Sequence, residues 1–298
     1  MTAERILAVR EPFRLDLTVA VLRRFSTNVV DVLTPDGVYV RALAGDGGAA
    51  SVTVRQTGAA EIVVRVDGPP GDEPRAFALA ARMLGIDRDL ATFDRGAARV
   101  PWLRGLAARM RGVKPPRYPT LWEACVNAVV FQQVSLHAAS AILRRVILET
   151  GEPLERDGLA LRAFPTIGAL CGATDGVLRA AGLSVNKVAT LRRIGEALTA
   201  GAIDEAMLEE RESPAAADLL CGIKGIGPWT AAVVLLRGLG RLDVFPAKDS
   251  GVARGLASLA GEALDLPAVF AALGEQRGML YYHLLLARLE ASGEIGNA

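Results

Sequence analysis

Two glycines around an isoleucine carry the plainest chemical signal in this chain. From Leu219 to Leu236 the residues read as a helix, a turn holding Gly225, Ile226 and Gly227, and a second helix with Pro228 at its first position. Glycine lets a backbone approach an anion closely, and the new helix presents unpaired N–H groups at the positive end of its dipole, so this arrangement suits a phosphate. Such a contact reads no base, and an ordinary tight αα-hairpin uses the same residues. Lys224, just before the turn, reads as a phosphate contact or a solvated charge. Further on, Val244-Phe245-Pro246-Ala247-Lys248-Asp249-Ser250 leads into another helix, with Asp249 standing 20 residues after Trp229. On its own Asp249 reads as a helix N-cap, a role in which Asp is among the best residues.

Other chemistries have few residues to draw on. His137 and His283 are the two imidazoles, and neither has an acid or nucleophile beside it in sequence, so both read as structural. The three cysteines, Cys125, Cys171 and Cys221, are odd in number and lack CxxC spacing, which argues against a disulfide framework, a zinc site or an iron–sulfur cluster and fits a reducing cytoplasm. With 34 basic and 33 acidic residues the net charge is +1, so any anion-binding surface is local. One bias stands out: Arg95, Arg99, Arg104, Arg109, Arg111, Lys114 and Arg117 follow one another with no acidic residue between, as a phosphate-facing patch or a solvated helix face and linker. Arg10 and Glu11 precede any apolar run of signal-peptide length and no 18 apolar residues occur in succession, so the expectation is a soluble, cytoplasmic chain without membrane contact.

The elements that must position these residues fall into two regions, as a length of 298 residues with 51% apolar content suggests. Residues 38–40, 51–54 and 61–66 are β-branched runs, separated by the breakers Gly45-Asp46-Gly47-Gly48 and Thr57-Gly58, with one helix over Val19–Phe25. Residues 1–86 are therefore expected to form a small, sheet-rich antiparallel α/β domain. From 87 to 298 the apolar residues recur at helical spacing, and the remainder looks all-helical, with the hairpin at about 214–237. The expected class is α+β.

At this point a resemblance becomes definite. The Gly-Ile-Gly hairpin, the break Arg237-Gly238-Leu239-Gly240-Arg241, then Asp243-Val244-Phe245-Pro246 and an aspartate opening the next helix resemble the helix-hairpin-helix (HhH-GPD) DNA glycosylases, specifically the 3-methyladenine DNA glycosylase II family. Trp122 through Ser135, with Gln132-Gln133-Val134-Ser135, is similar to the family's helix and turn. Phe164-Pro165-Thr166, Leu178-Arg179, Gly182-Leu183-Ser184 and Lys187 resemble its central helices. The likeness covers about residues 80 to 290.

The resemblance implies a monofunctional glycosylase that hydrolyses the N-glycosidic bond of alkylated purines such as 3-methyladenine and 7-methylguanine in damaged duplex DNA. Asp249 falls at the family's catalytic aspartate, where one carboxylate stabilises an oxocarbenium-like sugar and orients water. Trp229 is then the candidate platform for a flipped cationic base. It also stands where members that cut the backbone carry a nucleophilic lysine, which implies no lyase step. Val233 replaces a second aromatic residue, and Tyr281 and Tyr282 read either as compensating for it in the substrate pocket or, at helical spacing, as core and surface residues. Gln133, with Gln132 beside it, falls at the wedge that fills the gap left by the base, although both could instead cap helix ends. Lys248 reads as a phosphate contact or a neighbour tuning Asp249, and Asn127 as a buried polar bridge.

No cofactor or catalytic metal is implied. The carbonyls of Cys221, Ile223 and Ile226 are candidates for a structural monovalent cation, and the expected state is a monomer on DNA. Two other readings stay open: a non-catalytic DNA-binding module that keeps the hairpin, and a superfamily member with a different damaged-base preference.

Overall fold

The computed structural model describes residues 1–45 and 47–296; Asp46, within the expected turn at 45–48, lies outside them. The N-terminal region contains β1 (Thr2–Ala8), α1 (Leu15–Arg23), β2 (Asp31–Leu33), β3 (Tyr39–Leu43), β4 (Ala50–Gln56), β5 (Glu61–Asp67) and α2 (Glu73–Leu84). The strands form one antiparallel sheet in the order β1-β5-β4-β3-β2. Period-two alternation directs Val52, Val54, Ile62, Val64 and Val66 to the face covered by Phe77, Met83 and Leu84 of α2. The runs at 38–40, 51–54 and 61–66 are thus strands, while β1 and β2 are additions that the sequence reading did not contain.

The rest is helical with one exception. Its helices are α3 (Ala91–Ala97), α4 (Pro101–Arg109), α5 (Leu121–Val130), α6 (Leu136–Thr150), α7 (Ile167–Gly172), α8 (Asp175–Ala180) and α9 (Val185–Thr199). They continue with α10 (Glu205–Glu209), α11 (Ser213–Cys221), α12 (Pro228–Arg237), α13 (Ser250–Ala260), α14 (Leu266–Leu273) and α15 (Met279–Ala291). The exception corrects the all-helical expectation: β6 (Pro153–Arg156) and β7 (Leu159–Arg162) form a hairpin. Its turn has Asp157 at φ 49° and Gly158 at φ 77°, the pair of left-handed residues that a two-residue hairpin requires. Leu161 and Ala163 then cover Val40 and Ala42 on the outer face of β3.

A boundary near residue 86 falls in the loop between α2 and α3, yet the N-terminal region is not a separate body. Leu17, Ala20, Val21 and Phe25 of α1 and its C-terminal turn pack with Leu280 and Leu286 of α15. Arg41 of β3 is buried against Asp31 and donates to both carboxylate oxygens of Glu123 on α5, at 2.7 Å each. Removing one partner from such a buried set leaves an uncompensated charge, so the sheet is held tightly against the helices.

The helices build two apolar cores. One joins α5, α6, α9, α11 and α12; the other joins α1, α3, α4 and α13 to α15. No helix among the described residues is long and apolar enough to cross a membrane. In the run of basic residues from Arg95 to Arg117, Lys114 is buried and donates to the Arg88 carbonyl, and Arg117 is spent on Glu205 and the Gly238 carbonyl, while Arg95, Arg99, Arg104, Arg109 and Arg111 are exposed.

Candidate active site

The hairpin between α11 and α12 is shaped by contact with α9. Gly225 has φ +105°, and a Cβ there would meet the Thr190 hydroxyl oxygen at 2.1 Å, so both backbone and packing require glycine. Gly227 is the N-cap of α12 in extended backbone, and a Cβ on it would meet open space. Ile226 is buried in the core and its N–H donates to the Ile223 carbonyl at 3.0 Å. The N–H groups of Gly225 and Gly227 have no backbone acceptor among the described residues. That leaves them to a ligand or to water, as an anion site at a helix start requires. Ile226 therefore anchors the turn and presents no N–H of its own. Lys224 is exposed beside it and is not in the lining of the cavity that Trp229 and Asp249 border.

The turn from α5 to α6 comes up beside the hairpin. Thr120 caps α5 and Ser135 caps α6 through their side-chain oxygens, which fixes where each helix begins. Lys187 on α9 donates to the carbonyls of Val130 (2.8 Å) and Gln132 (3.0 Å), and burial pulls its pKa down. The two glutamines then separate in role. Gln132 is a strut, its amide donating to the Gly225 carbonyl (3.0 Å) and the Thr230 hydroxyl (2.8 Å). Gln133 is exposed at φ 55°, a left-handed conformation that costs a non-glycine residue about 1–3 kcal/mol.

Asp249 stands at the start of α13 and caps it. Its Oδ1 accepts from the N–H groups of Gly251 (2.7 Å) and Val252 (3.0 Å), and its Oδ2 accepts from the Trp229 indole N–H at 3.0 Å. The capping role and a place in a site coexist, because the half-buried carboxylate also lines a cavity of about 540 Å³. That size lies within the roughly 300–1,000 Å³ of small-molecule sites.

The cavity opens where the two cores meet. Phe131, Trp229 and Val233 face it from one core, and Leu136, Val252, Tyr281 and Leu284 from the other. Gln132, Gln133, Gly225, Gly227 and Lys248 stand among its lining, so most of the residues singled out in the sequence converge here. Tyr282 is a correction. One position along α15 turns a side chain by about 100°, so Tyr281 reaches the cavity while Tyr282 is fully buried and donates to the Leu236 carbonyl at 3.2 Å. Tyr282 also lies against the buried Arg237 guanidinium, 5.8 Å from its ring centroid.

Several lining residues had no signal in the sequence. Arg24, Phe131, Arg254 and Arg288 all border the cavity. Arg24 comes from the C-terminal end of α1 and donates to the Asn127 side-chain oxygen across 103 positions of chain, at 3.2 Å. Asn127 is the buried polar bridge expected of it, since its own amide donates to the Glu123 carbonyl at 3.0 Å, and it borders the cavity as well. His137 is exposed with its ring 4.4 Å from that of Phe25, and His283 is buried in the core; neither borders the cavity. No group of His, Cys, Asp and Glu among the described residues could hold a metal ion.

The site thus joins a glycine hairpin, a helix-capping aspartate bound to a hairpin tryptophan, and a cavity between two helical cores. Residues 126–265 match the family described as HhH-GPD superfamily base excision DNA repair protein. Over 196 residues it is 34% identical to a protein of Mycobacterium tuberculosis named probable bifunctional transcriptional activator/DNA repair enzyme AlkA, covering 65% of this chain and 37% of that protein. Over 167 residues it is 29% identical to the DNA-3-methyladenine glycosylase of Bacillus subtilis, covering 56% of this chain and 55% of that one. Among solved structures, the 3-methyladenine DNA-glycosylase from Archaeoglobus fulgidus superposes with a TM-score of 0.77 at 26% identity, covering 95% of this chain and 97% of that chain. The chain spans between 37% and 55% of the length of the two curated relatives.

Proposed function

We propose that this chain is a monofunctional DNA glycosylase that releases alkylated purines from duplex DNA by hydrolysis. The observation that carries the reading is Asp249: a carboxylate on the wall of a cavity of about 540 Å³, held by three N–H donors, next to a hairpin in which the N–H groups of Gly225 and Gly227 have no backbone acceptor among the described residues. In this reading the N–H groups of Gly225 and Gly227 bind a backbone phosphate, with Lys224 and Lys248 adding charge nearby. Gln133 enters the duplex where the damaged nucleotide has left the stack, and the base sits against Trp229 and Tyr281. As the C1′–N bond lengthens, positive charge grows on the sugar, and Asp249 stabilises it and orients the attacking water. An alkylated purine is already a cation and departs readily.

Hydrolysis without a lyase step is supported by Trp229, which fills the hairpin-helix position where a nucleophilic amine would stand. The carbonyls of Cys221, Ile223 and Ile226 would hold a monovalent cation that stiffens the hairpin. Oxygen donors of this kind suit an alkali ion, although the Ile223 carbonyl already accepts the Ile226 N–H. We read the enzyme as a cytoplasmic monomer; its three free thiols fit a reducing compartment.

The test is a duplex carrying a single 7-methylguanine or 3-methyladenine, incubated with the chain and analysed with and without hot alkali. Free base with an intact abasic strand is expected. Strand scission without alkali, or a complex trapped by borohydride, would assign a lyase, with Lys248 as the amine at the cavity. Tight duplex binding with no base released from any lesion would assign a binding module instead.

A further inference from the structure

We propose that the face of α3 and α4 carrying Arg95, Arg99 and Arg104 is a second DNA contact, which binds the phosphate backbone of duplex flanking the segment held at the hairpin. The inference takes its partner, duplex DNA, from the glycosylase reading above and adds a surface to it.

Each of the two helices buries one stripe and exposes the other. Phe93 and Ala97 of α3 and Leu103 and Leu106 of α4 join the core that also holds Val252 of α13 and Leu284 of α15. The opposite stripe is exposed, with Arg95 on α3, Arg99 between the helices, Arg104 and Arg109 on α4, and Arg111 just after it. Ala91, Ala98, Gly105 and Ala108 are the exposed residues among them, so no bulky side chain holds a large partner away from the guanidinium groups.

Charge sets this face apart. Asp94 is the one acid between residues 91 and 111; it is half-buried, with Arg111 among the cations that act on it. Arg109 pairs with Glu290 at 3.3 Å. Arg95, Arg99 and Arg104 have no ion-pair partner among the described residues. They also stand close together. Arg99 follows Arg95 by about one helical turn, and Arg104 Nε donates to the Ala98 carbonyl at 2.9 Å, which lays that side chain back over the junction of the helices. Like charges one turn apart weaken a helix, whereas an ordinary solvated face alternates its signs and gains from the pairs. A polyanion on this face removes the repulsion.

The rest of the face selects the backbone of a duplex. Phe93 is buried and Trp102 half-buried, so no aromatic ring is exposed on which a single strand could stack its bases. No large apolar side chain of residues 91–111 is exposed either, and a protein partner needs an apolar centre to its interface. What remains is charge, and duplex DNA presents one phosphate per about 1.7 Å of its axis.

The face lies on the outer side of the layer that carries the site. Arg254 of α13 and Arg288 of α15 border the cavity, while Arg95, Arg99 and Arg104 do not. The duplex that reaches them is therefore not the segment whose nucleotide enters the cavity. When one DNA molecule supplies both segments the second contact is intramolecular, and its effective concentration favours it over a separate duplex.

The test uses undamaged duplexes of about two and about six helical turns, titrated over a range of salt with the wild type and with Arg95→Gln/Arg99→Gln/Arg104→Gln. Corrected for the number of sites, the wild type should bind the long duplex more tightly. The triple variant should lose that preference, and its salt slope on the long duplex should be smaller by up to about 2.7, at about 0.9 per phosphate contact. An unchanged slope overturns the proposal, as does an equal loss on both lengths, which would place the arginines on the segment at the hairpin. Retained duplex affinity with lost binding of polyglutamate or of a single strand overturns it in favour of an acidic protein or an unpaired strand. A wild type that binds neither duplex removes the DNA reading and this contact with it, whereas base release from methylated DNA with an unchanged slope leaves the glycosylase standing without this face. Arg104 holds the Ala98 carbonyl, so if thermal melting shows the triple variant unfolded, Arg95→Gln/Arg99→Gln carries the test, with a slope smaller by up to about 1.8.

Discussion

The indole N–H of Trp229 donates to Oδ2 of Asp249 at 3.0 Å, joining the first turn of α12 to the cap of α13 across 20 residues of chain. With Oδ1 already accepting two backbone N–H groups, the carboxylate is fixed in orientation before any substrate arrives. Trp229 is thus more than an aromatic wall of the cavity. It positions the group that the proposed reaction depends on.

Replacing Trp229 by Phe should expose that second role, because the ring stays and the donor goes. A hydrogen bond to a charged group is worth about 1.5–3 kcal/mol, so base release should fall about tenfold to a hundredfold while duplex affinity changes little. Single-turnover release alongside a binding titration checks this; equal losses in both would mean that the ring contact alone matters.

Asp249→Asn should separate capping from chemistry. The amide oxygen still accepts from Gly251 and Val252, whereas the amide nitrogen meets the Trp229 N–H donor to donor. Stability should drop by only about 1 kcal/mol, measured by denaturant unfolding. Loss of the charge should cost about 2.7–4 kcal/mol in the transition state, a hundredfold to a thousandfold in release, and more for a neutral base than for a cationic one.

The two hairpin glycines should behave differently. Gly225→Ala introduces a Cβ 2.1 Å from the Thr190 hydroxyl oxygen at φ +105°, and should lower stability by about 1–3 kcal/mol or more. Gly227→Asp meets open space, so the fold should survive while a carboxylate stands where the phosphate is proposed to bind. Its duplex affinity should fall with or without a lesion, and unchanged affinity at low salt would remove the hairpin from the interface.

Acid should weaken the fold through His283. Burial pushes this imidazole down to about 4, below the ordinary value of 6.5, with its Nδ1 2.9 Å from the Met279 carbonyl. The unfolded chain therefore takes up a proton at a higher pH than the folded one. Stability from this group is fully present above pH 6.5 and is lost as the pH falls toward 4, by up to about 3 kcal/mol. Urea unfolding at pH 7 and pH 5 should show the drop, and His283→Gln should flatten it.

How much of this was legible without coordinates depends on how far apart the interacting residues lie. The hairpin, the cap at Asp249 and the helix starts at Thr120 and Ser135 are local events. Their hydrogen bonds close within a few residues, so residue type and spacing are enough to find them. The partition of the chain into a sheet-rich beginning and a helical remainder follows in the same way from periodicities of two and 3.6. The hairpin at β6 and β7 was equally local, and its Asp157-Gly158 turn was a readable signal that the helical run around it obscured.

Tertiary structure alone decided which residue of each adjacent pair faces the cavity. Tyr281 enters and Tyr282 does not, because a helix turns between them and α15 is pinned by the buried Leu280 and Leu286 on both sides. Gln132 is consumed by the hairpin and Gln133 is left free for the same kind of reason, with Lys187 holding the turn from a third helix. Arg24 reaches the cavity only because α1 packs against α15 and ends in a strained turn. Such choices are made by burial summed over many distant side chains, a quantity that no short stretch of sequence contains.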